Sequence, residues 1–345
     1  MTLIIPAYNE EDVIAEKIIN TLQLDYPKAF LDIWVVTDGS TDQTNNIVQS
    51  FDGVKLLYSP ERKGKVAAIN RAMAHIDSEI VVFSDANTIL NRDALQHLIC
   101  EFRDNEVGAV AGEKTVVTKS TKSSTGNGEG LYWSYESFLK KQDADFYSVV
   151  GAAGELFSMR TALFQPLEED TILDDFMLSF QVNLQNYKVA YAPNAKAMEL
   201  PSSSLSEERK RKVRISAGGF QAMSRLPQLW NITRHPLLSF QYFSHRVFRW
   251  TICPLALVLL LISNTYIALD SVIYFLFFLG QLGFYGLALG EHRLSKHGKS
   301  NKIAYIPYYF LFMNISVVQG ALRFIKDQQP ATWEKSKRVE GMVSI

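Results

Sequence analysis

Between Thr251 and Gly290 the chain carries a single charged residue, Asp270. No other feature restricts its folding so tightly. Two runs, Leu255–Leu269 and Val272–Leu289, each approach the ~20 apolar residues that a membrane-spanning helix needs. Neither has a polar face, which argues against buried core helices. A third candidate, Ile303–Leu322, is interrupted by Pro307, Asn314 and Gln319. Ahead of these runs the composition is ordinary and mixed, so the mean hydropathy of −0.01 averages over two unlike parts. The pattern predicts a catalytic-type domain over 1–225, an interfacial segment over 226–250, a membrane region of two to three helices over 251–322, and a basic tail over 323–345. The interfacial assignment rests on Phe, Tyr and Trp mixed with His245, Arg246 and Arg249 between His235 and Trp250.

A formal net charge of −1 over 345 residues gives no basic face for nucleic acid. Cys100 and Cys253 are far apart in apolar stretches, which speaks against a disulfide framework or a zinc site and fits a reducing, cytoplasmic setting for the first part. The chain enters its first strand at once, with Thr2-Leu3-Ile4-Ile5, so no secretory leader is expected.

From residue 1 to about 115, strands and helices alternate at βαβ spacing. The strands are Leu3–Pro6, Ile33–Thr37, Val54–Tyr58, Ile80–Ser84 and Val107–Gly112; the helices are Glu10–Leu22, Gln43–Phe51, Lys65–His75 and Arg92–Phe102. Such a rhythm implies an α/β fold with a mainly parallel sheet and ligands at the carboxyl ends of its strands. Lys119 to Gly130, rich in Ser, Thr, Gly and Lys, reads as a mobile loop before a helix over Leu131–Asp143. A strand at Leu156–Met159, a helix from near Asp174 and a short strand at Lys188–Tyr191 follow. Ser204-Leu205-Ser206-Glu207-Glu208 opens a further helix with capping chemistry and carries Arg211 and Arg214 toward the membrane region.

Several residues at strand ends and helix starts carry chemistry. In Ile80-Val81-Val82-Phe83-Ser84-Asp85-Ala86-Asn87 a buried strand runs into a carboxylate and a carboxamide, oxygen ligands suited to Mg²⁺ or Mn²⁺. Asn87 is neutral, so the site supplies one charge fewer than two carboxylates would, and weaker metal binding is expected. Asp38, at another strand end, can accept hydrogen bonds from a base or ribose, while Ser40 or Thr41 caps the next helix. Arg62-Lys63-Gly64-Lys65 precedes a helix whose amino end attracts anions, although a solvated charge run is an alternative. Of the adjacent carboxylates Asp174 and Asp175, at least one can face a cleft as general base. Arg211 and Arg214 share one helical face and could meet a diphosphate or, alternatively, anionic lipid.

Together these segments resemble glycosyltransferase family 2, the inverting enzymes with a GT-A fold, and the resemblance covers nearly the whole chain. Ile5-Pro6-Ala7-Tyr8-Asn9-Glu10-Glu11 resembles the family's first strand and turn, which implies nucleotide-sugar contacts for Pro6, Tyr8 and Glu10. Asp38-Gly39-Ser40-Thr41-Asp42 is similar to its nucleotide-contacting loop, and Gly64-Lys65-Val66-Ala67-Ala68-Ile69-Asn70 to its Gly-Lys-x-x-Ala-x-Asn segment. Ser84-Asp85-Ala86-Asn87 stands where the family has Asp-x-Asp. Gly151-Ala152-Ala153-Gly154 stands where it places an acceptor-side loop, and Asp174-Asp175 where it has Glu-Asp, so that Asp175 is implied as the base. Arg211-Lys212-Val213-Arg214-Ile215 occupies the Gln/Arg-x-x-Arg-Trp position of membrane-embedded polysaccharide synthases. Ile215 in place of that Trp puts chain elongation in doubt.

The resemblance implies a single in-line displacement from a nucleoside-diphosphate sugar, uridine-linked by family habit, to a polysaccharide or lipid-linked acceptor. An alternative is transfer of one sugar to a polyprenyl phosphate or another lipid. Another class altogether is an inactive nucleotide-sugar sensor or assembly partner. The lipid bilayer and other membrane biosynthesis proteins are the expected partners. The basic loop His292–Lys299 places the catalytic domain on the cytoplasmic side of the inner membrane in a multi-pass arrangement. A third full span would export Arg323, Lys326, Lys335, Lys337 and Arg338, so Ile303–Leu322 is expected to be a broken, re-entrant helix.

Overall fold

The computed structural model describes residues 1–117, 124–152, 154–296 and 301–327. Its centre is a sheet built from β1 (Thr2–Ala7), β2 (Asp32–Asp38), β3 (Val54–Ser59), β4 (Ile80–Ser84), β5 (Ile89–Leu90), β6 (Val107–Val116), β7 (Leu156–Arg160) and β8 (Lys188–Glu199). The strand order is β3-β2-β1-β4-β7-β6-β8-β5. β1 pairs in parallel with β2 and β4, β2 with β3, and β6 with β8; β7 is antiparallel to both of its neighbours. The expectation of a mainly parallel sheet holds.

Alternation along β1 shows how the sheet is buried on both faces. Ile4 joins Trp34, Val36, Phe83 and the helices α3 (Lys65–Met73) and α6 (Asp174–Leu184) on one side. Leu3 and Ile5 join Val35, Val82 and the helices α1 (Ile14–Leu22) and α4 (Ala94–Glu101) on the other. Period two with apolar residues at every position is what a strand covered by helices on both faces requires. The short α2 (Thr44–Gln49) crosses from β2 to β3.

Two elements exceed their expected lengths. The helix α5 starts at Ser124 and runs to Phe146, so most of the stretch expected as a loop is helical; residues 118–123 lie outside the described set. Its polar residues Glu136, Lys140 and Asp143 are buried, and such packing overrides the weak propensity of a Gly- and Ser-rich start. Strand β8 continues past Pro193 because the register shifts between Gly112 and Glu113 of its partner β6. A Cβ on Gly112 would lie 2.9 Å from the Ala195 carbonyl, so only glycine admits this approach.

Beyond the sheet, α7 (Leu205–Arg225) leads to α8 (Pro236–Tyr242), a π-helical turn over Phe243–Val247, and the single turn α9 (Phe248–Trp250). After a 56° bend the chain enters α10 (Ile252–Ile267), then α11 (Val272–Lys296) and α12 (Lys302–Ile325). Among the described residues, two helices are long and apolar enough to cross a membrane, or three if the bent pair is one span.

Two expectations about this region change. First, α12 is continuous, not broken, and the break falls upstream at Thr251. Pro307 lies in the second turn of α12, where it removes one backbone bond, and Asn301 caps that end by accepting from the Ile303 and Ala304 N–H groups. Gln319, which interrupts the apolar run, accepts from Arg209 Nε at 3.0 Å, and Gly320 lets α12 approach α7, since a Cβ there would lie 2.4 Å from Ser216 Cβ. Second, the cations of the supposed interfacial segment turn inward. His245 pairs with Asp143 at 2.6 Å, and Arg246 and Arg249 pair with Glu136 at 3.5 and 2.5 Å. Cys100, in α4, and Cys253 are both exposed.

Candidate active site

A cavity of about 1760 Å³ opens where the carboxyl ends of β1 and β4 meet α5, α6, α7, α10 and α12. Its wall carries Pro6, Glu10, Lys65, Asp85, Asn87, Gly151, Ala152, Gly154, Asp174, Asp175, Arg211 and Arg214. Folding thus brings together residues spread over more than two hundred positions. Ala153 lies outside the described residues.

Lys65 is the hub of the carboxylates. It is the first residue of α3, placed by Gly64 at φ 107, a backbone conformation that glycine adopts without strain. Its ammonium lies 3.0 Å from Asp85 Oδ1 and 3.1 Å from Asp174 Oδ2. Burial opposes its charge, but Asp174, Asp85 and Asp175 outweigh this and hold the ammonium above the usual lysine range. Asp174 and Asp175 open α6, where the helix dipole favours acidic side chains. Burial raises the Asp175 carboxyl to about 7; Asp174 and Glu155 add to the rise while Lys65 opposes it. Burial also raises Asp85, with Lys65 opposing and Glu155 reinforcing. Gly154 borders this group closely: a Cβ there would lie 3.2 Å from Asp175 Oδ2 and 3.4 Å from Lys65 Nζ.

Gly151 takes φ 79, and a Cβ on it would meet the Phe176 ring at 2.3 Å. Arg246 holds the same turn, donating from Nε and from a terminal nitrogen to the Val150 carbonyl at 3.0 and 2.8 Å. The residue after Asp175 is therefore packed against the Gly151 turn.

Asp38 and Tyr8 lie off the cavity wall. The Asp38 carboxylate is buried and accepts from the backbone N–H of Lys63 at 3.1 Å and of Gly64 at 2.6 Å, so it shapes the loop that presents Lys65. The Arg62 guanidinium stacks 3.8 Å from the Tyr8 ring centroid. Ser40 does not cap α2; its hydroxyl accepts from the Asn9 N–H at 3.1 Å, while Asp42 accepts from Thr44 N–H at 3.0 Å.

Arg211 and Arg214 differ in their surroundings. Arg211 lies 3.4 Å from Glu199 and 3.5 Å from Glu208. Burial raises Glu208, but Arg211, Lys212 and Ser202 together bring it down to about 2. Glu199 also contacts Lys114, which bridges to Glu155. This buried chain of charges was not foreseen from sequence, because Lys114, Glu155, Glu199 and Glu208 are isolated in the chain and carry no shared spacing. The one available signal was Glu155 directly after Gly154. Arg214, by contrast, makes no ion pair or hydrogen bond among the described residues; burial lowers its pKa, Asp174 opposes this and Arg323 adds to it.

Among the described residues no group of three or more His, Cys, Asp or Glu side chains is arranged to hold a metal ion. Asp85 and Asn87 nevertheless offer hard oxygen donors on the cavity wall, where the Lys65 ammonium, 3.0 Å from Asp85, competes with a cation for that carboxylate. One carboxylate and one amide oxygen are donors of the kind a hard divalent cation takes.

The parallel sheet, with acidic side chains at its carboxyl ends and an antiparallel β7 beside them, defines the class: a Rossmann-like GT-A domain, followed by carboxy-terminal helices. Over 95% of its length this chain superposes on 87% of the mannosyltransferase PcManGT from Pyrobaculum calidifontis, solved in complex with GDP-Man and Mn²⁺, with a TM-score of 0.69 and 22% identity. That likeness shows the fold. Residues 2–167 match the family model Glycosyl transferase family 2. A poly-beta-1,6-N-acetyl-D-glucosamine synthase of Staphylococcus aureus (strain MSSA476) is 26% identical over 233 residues, covering 65% of this chain and 56% of the relative. The synthase of the same name from Staphylococcus epidermidis is 25% identical over 247 residues, covering 69% and 58%. The chain spans somewhat over half the length of these curated relatives. Residues 2–167 thus resemble a family 2 glycosyltransferase domain, and the fold they belong to is of the GT-A type.

Proposed function

We propose that this chain is a glycosyltransferase that works at a membrane, moving a sugar from a nucleoside-diphosphate sugar, UDP-linked, to a polysaccharide or lipid-linked acceptor with inversion at the anomeric carbon. The observation that carries this reading is Asp175: a carboxyl raised to about 7, on the cavity wall beside the Lys65–Asp85–Asp174 cluster. A base poised near the working pH is well matched to removing a hydroxyl proton. The acceptor oxygen attacks the anomeric carbon, its proton passes to Asp175, and the bond to the diphosphate breaks with its electron pair leaving on the phosphate oxygen. Arg214, Arg211 and Lys65 face the charge that develops on the diphosphate. Asp85 and Asn87 would hold Mg²⁺ or Mn²⁺, which supplies Lewis-acid stabilisation of the departing diphosphate. Pro6 and Glu10 belong to the nucleotide side, where Asp38 supports the loop before Lys65, and Gly151, Ala152 and Gly154 belong to the acceptor side.

The relatives' names support polysaccharide synthesis. A second reading, one sugar added to a lipid phosphate, is favoured by the cavity's extension past Arg214 between α10 and α12. There its wall is apolar, with Leu257, Leu260, Phe310, Met313 and Val317. We further propose that residues 1–225 form the catalytic unit, cytoplasmic and carried on the inner membrane by a multi-pass region.

The test is nucleoside-diphosphate release by membrane fractions given a panel of UDP- and GDP-sugars with Mg²⁺ or Mn²⁺, with Asp85→Ala as control. Release with one donor, dependent on metal and on Asp85, is expected, and product length then separates polymer from single addition. No release from any donor while nucleotide still binds would favour the sensor reading instead.

A further inference from the structure

Lys17 is a buried cation that the proposed reaction leaves unused. It lies on the inward face of α1 among Ile14, Ile18 and Thr21, all buried, where a leucine would continue the apolar stripe. A buried ammonium is tolerated only when its hydrogens are taken up. Lys17 Nζ donates to Ser84 Oγ at 2.7 Å, to the Thr88 carbonyl at 2.9 Å and to Thr88 Oγ1 at 3.3 Å. An ammonium has three N–H donors, so all of them are committed. Among the described residues no carboxylate lies within ion-pair distance of it.

Ser84 and Thr88 are the residues on either side of Asp85-Ala86-Asn87. Thr88 Oγ1 also donates to the Asp85 carbonyl at 2.9 Å, closing the turn, and Ser84 Oγ donates to the Glu155 carbonyl at 3.2 Å. One ammonium off the cavity wall therefore ties both ends of a three-residue turn.

We infer that Lys17 is a positioning residue for divalent-cation binding: it pins Ser84 and Thr88 so that the Asp85 carboxylate and the Asn87 amide are presented together to the ion. The inference rests on the proposed metal site at Asp85 and Asn87. Burial disfavours the Lys17 charge while the charge of Asp85 supports it, so the two groups share an electrostatic field without touching. Partners behind the ligands of a metal typically contribute 10–100-fold to its affinity.

The test uses the detergent-solubilised full chain with UDP or GDP, and bound Mn²⁺ is read from loss of the free-ion electron paramagnetic resonance signal. Lys17→Met keeps the stem of the side chain and removes the donors; Thr88→Val keeps the volume and removes one acceptor. The expected result is an Mn²⁺ dissociation constant raised about 10–100-fold in Lys17→Met and less in Thr88→Val, with metal-free nucleotide binding unchanged. Wild-type Mn²⁺ affinity in both variants, with binding lost in Asp85→Ala, would leave Lys17 a core-packing residue and overturn the inference alone. Wild-type Mn²⁺ affinity in Asp85→Ala would remove the metal site and the role of Lys17 with it. If Lys17→Met does not fold, Thr88→Val decides: an unchanged Mn²⁺ affinity overturns the inference, and a weakened one upholds it.

Discussion

The ionisation of Asp175 makes a demanding prediction about pH. Its carboxyl is raised to about 7 by burial, with Asp174 and Glu155 adding and Lys65 opposing. A base must be deprotonated to accept a proton, so kcat/KM should climb with pH through about 7 and level off above it. Two units below that point only ~1% of the carboxyl is ionised, so the rate at pH 5 should be about 100-fold below the plateau. An ordinary exposed aspartate would already be ionised at pH 5, and the profile would be flat. The perturbation is Asp174→Asn, which removes the neighbouring charge that helps to raise Asp175. The limb should then move to lower pH, and the variant should keep more of its plateau rate at pH 5 than the wild type does. Initial rates of nucleoside-diphosphate release from pH 5 to 8.5, at constant ionic strength and saturating metal, measure this directly. Asp175→Asn should lower the plateau by ~10²–10⁴-fold and abolish the limb. A flat wild-type profile, or a limb that survives in Asp175→Asn, would refute the assignment of the base.

Further outcomes can be checked alongside. Lys65→Met removes the ammonium from between Asp85 and Asp174; the donor KM should rise and the pH limb should move upward, because Lys65 is what restrains the Asp175 shift. Gly151→Ala brings a Cβ within 2.3 Å of the Phe176 ring at φ 79, and thermal denaturation should register a loss of about 1–3 kcal/mol together with slower turnover. If α11 and α12 are lipid-embedded, the protein should remain in membranes through carbonate washing, and release into the supernatant would count against the spans.

The βαβ rhythm of the first half was legible because the central strands β1 and β4 are largely apolar and the helices between strands carry an apolar face. The two patterns have periods that local residues alone display. Asp85, Asp174 and Asp175 were legible as candidates for a related reason: each stands where an element begins or ends, and such positions face ligands in this class of sheet. Less visible were elements whose state depends on distant partners. Nothing local marks 124–130 as helical, and nothing in Arg246 or Arg249 indicates that they turn toward Glu136 and not toward lipid headgroups. The same holds for Arg211, whose place on a helical face was evident while its engagement by Glu199 and Glu208 was not.

From its sequence alone, the chain determined the α/β order of its elements, the apolar length of α10, α11 and α12, and the residue types available for holding a diphosphate and a cation. These follow from hydrophobic periodicity and from side-chain chemistry, which are properties of neighbours in the chain. Tertiary structure alone decided which charges meet. Lys65 is drawn between Asp85 and Asp174, the Asp175 carboxyl is raised by burial, and Lys17 is set behind the Asp85 turn. Electrostatic energy depends on distance and on the exclusion of water, and both are created only when segments remote in sequence pack around one cavity.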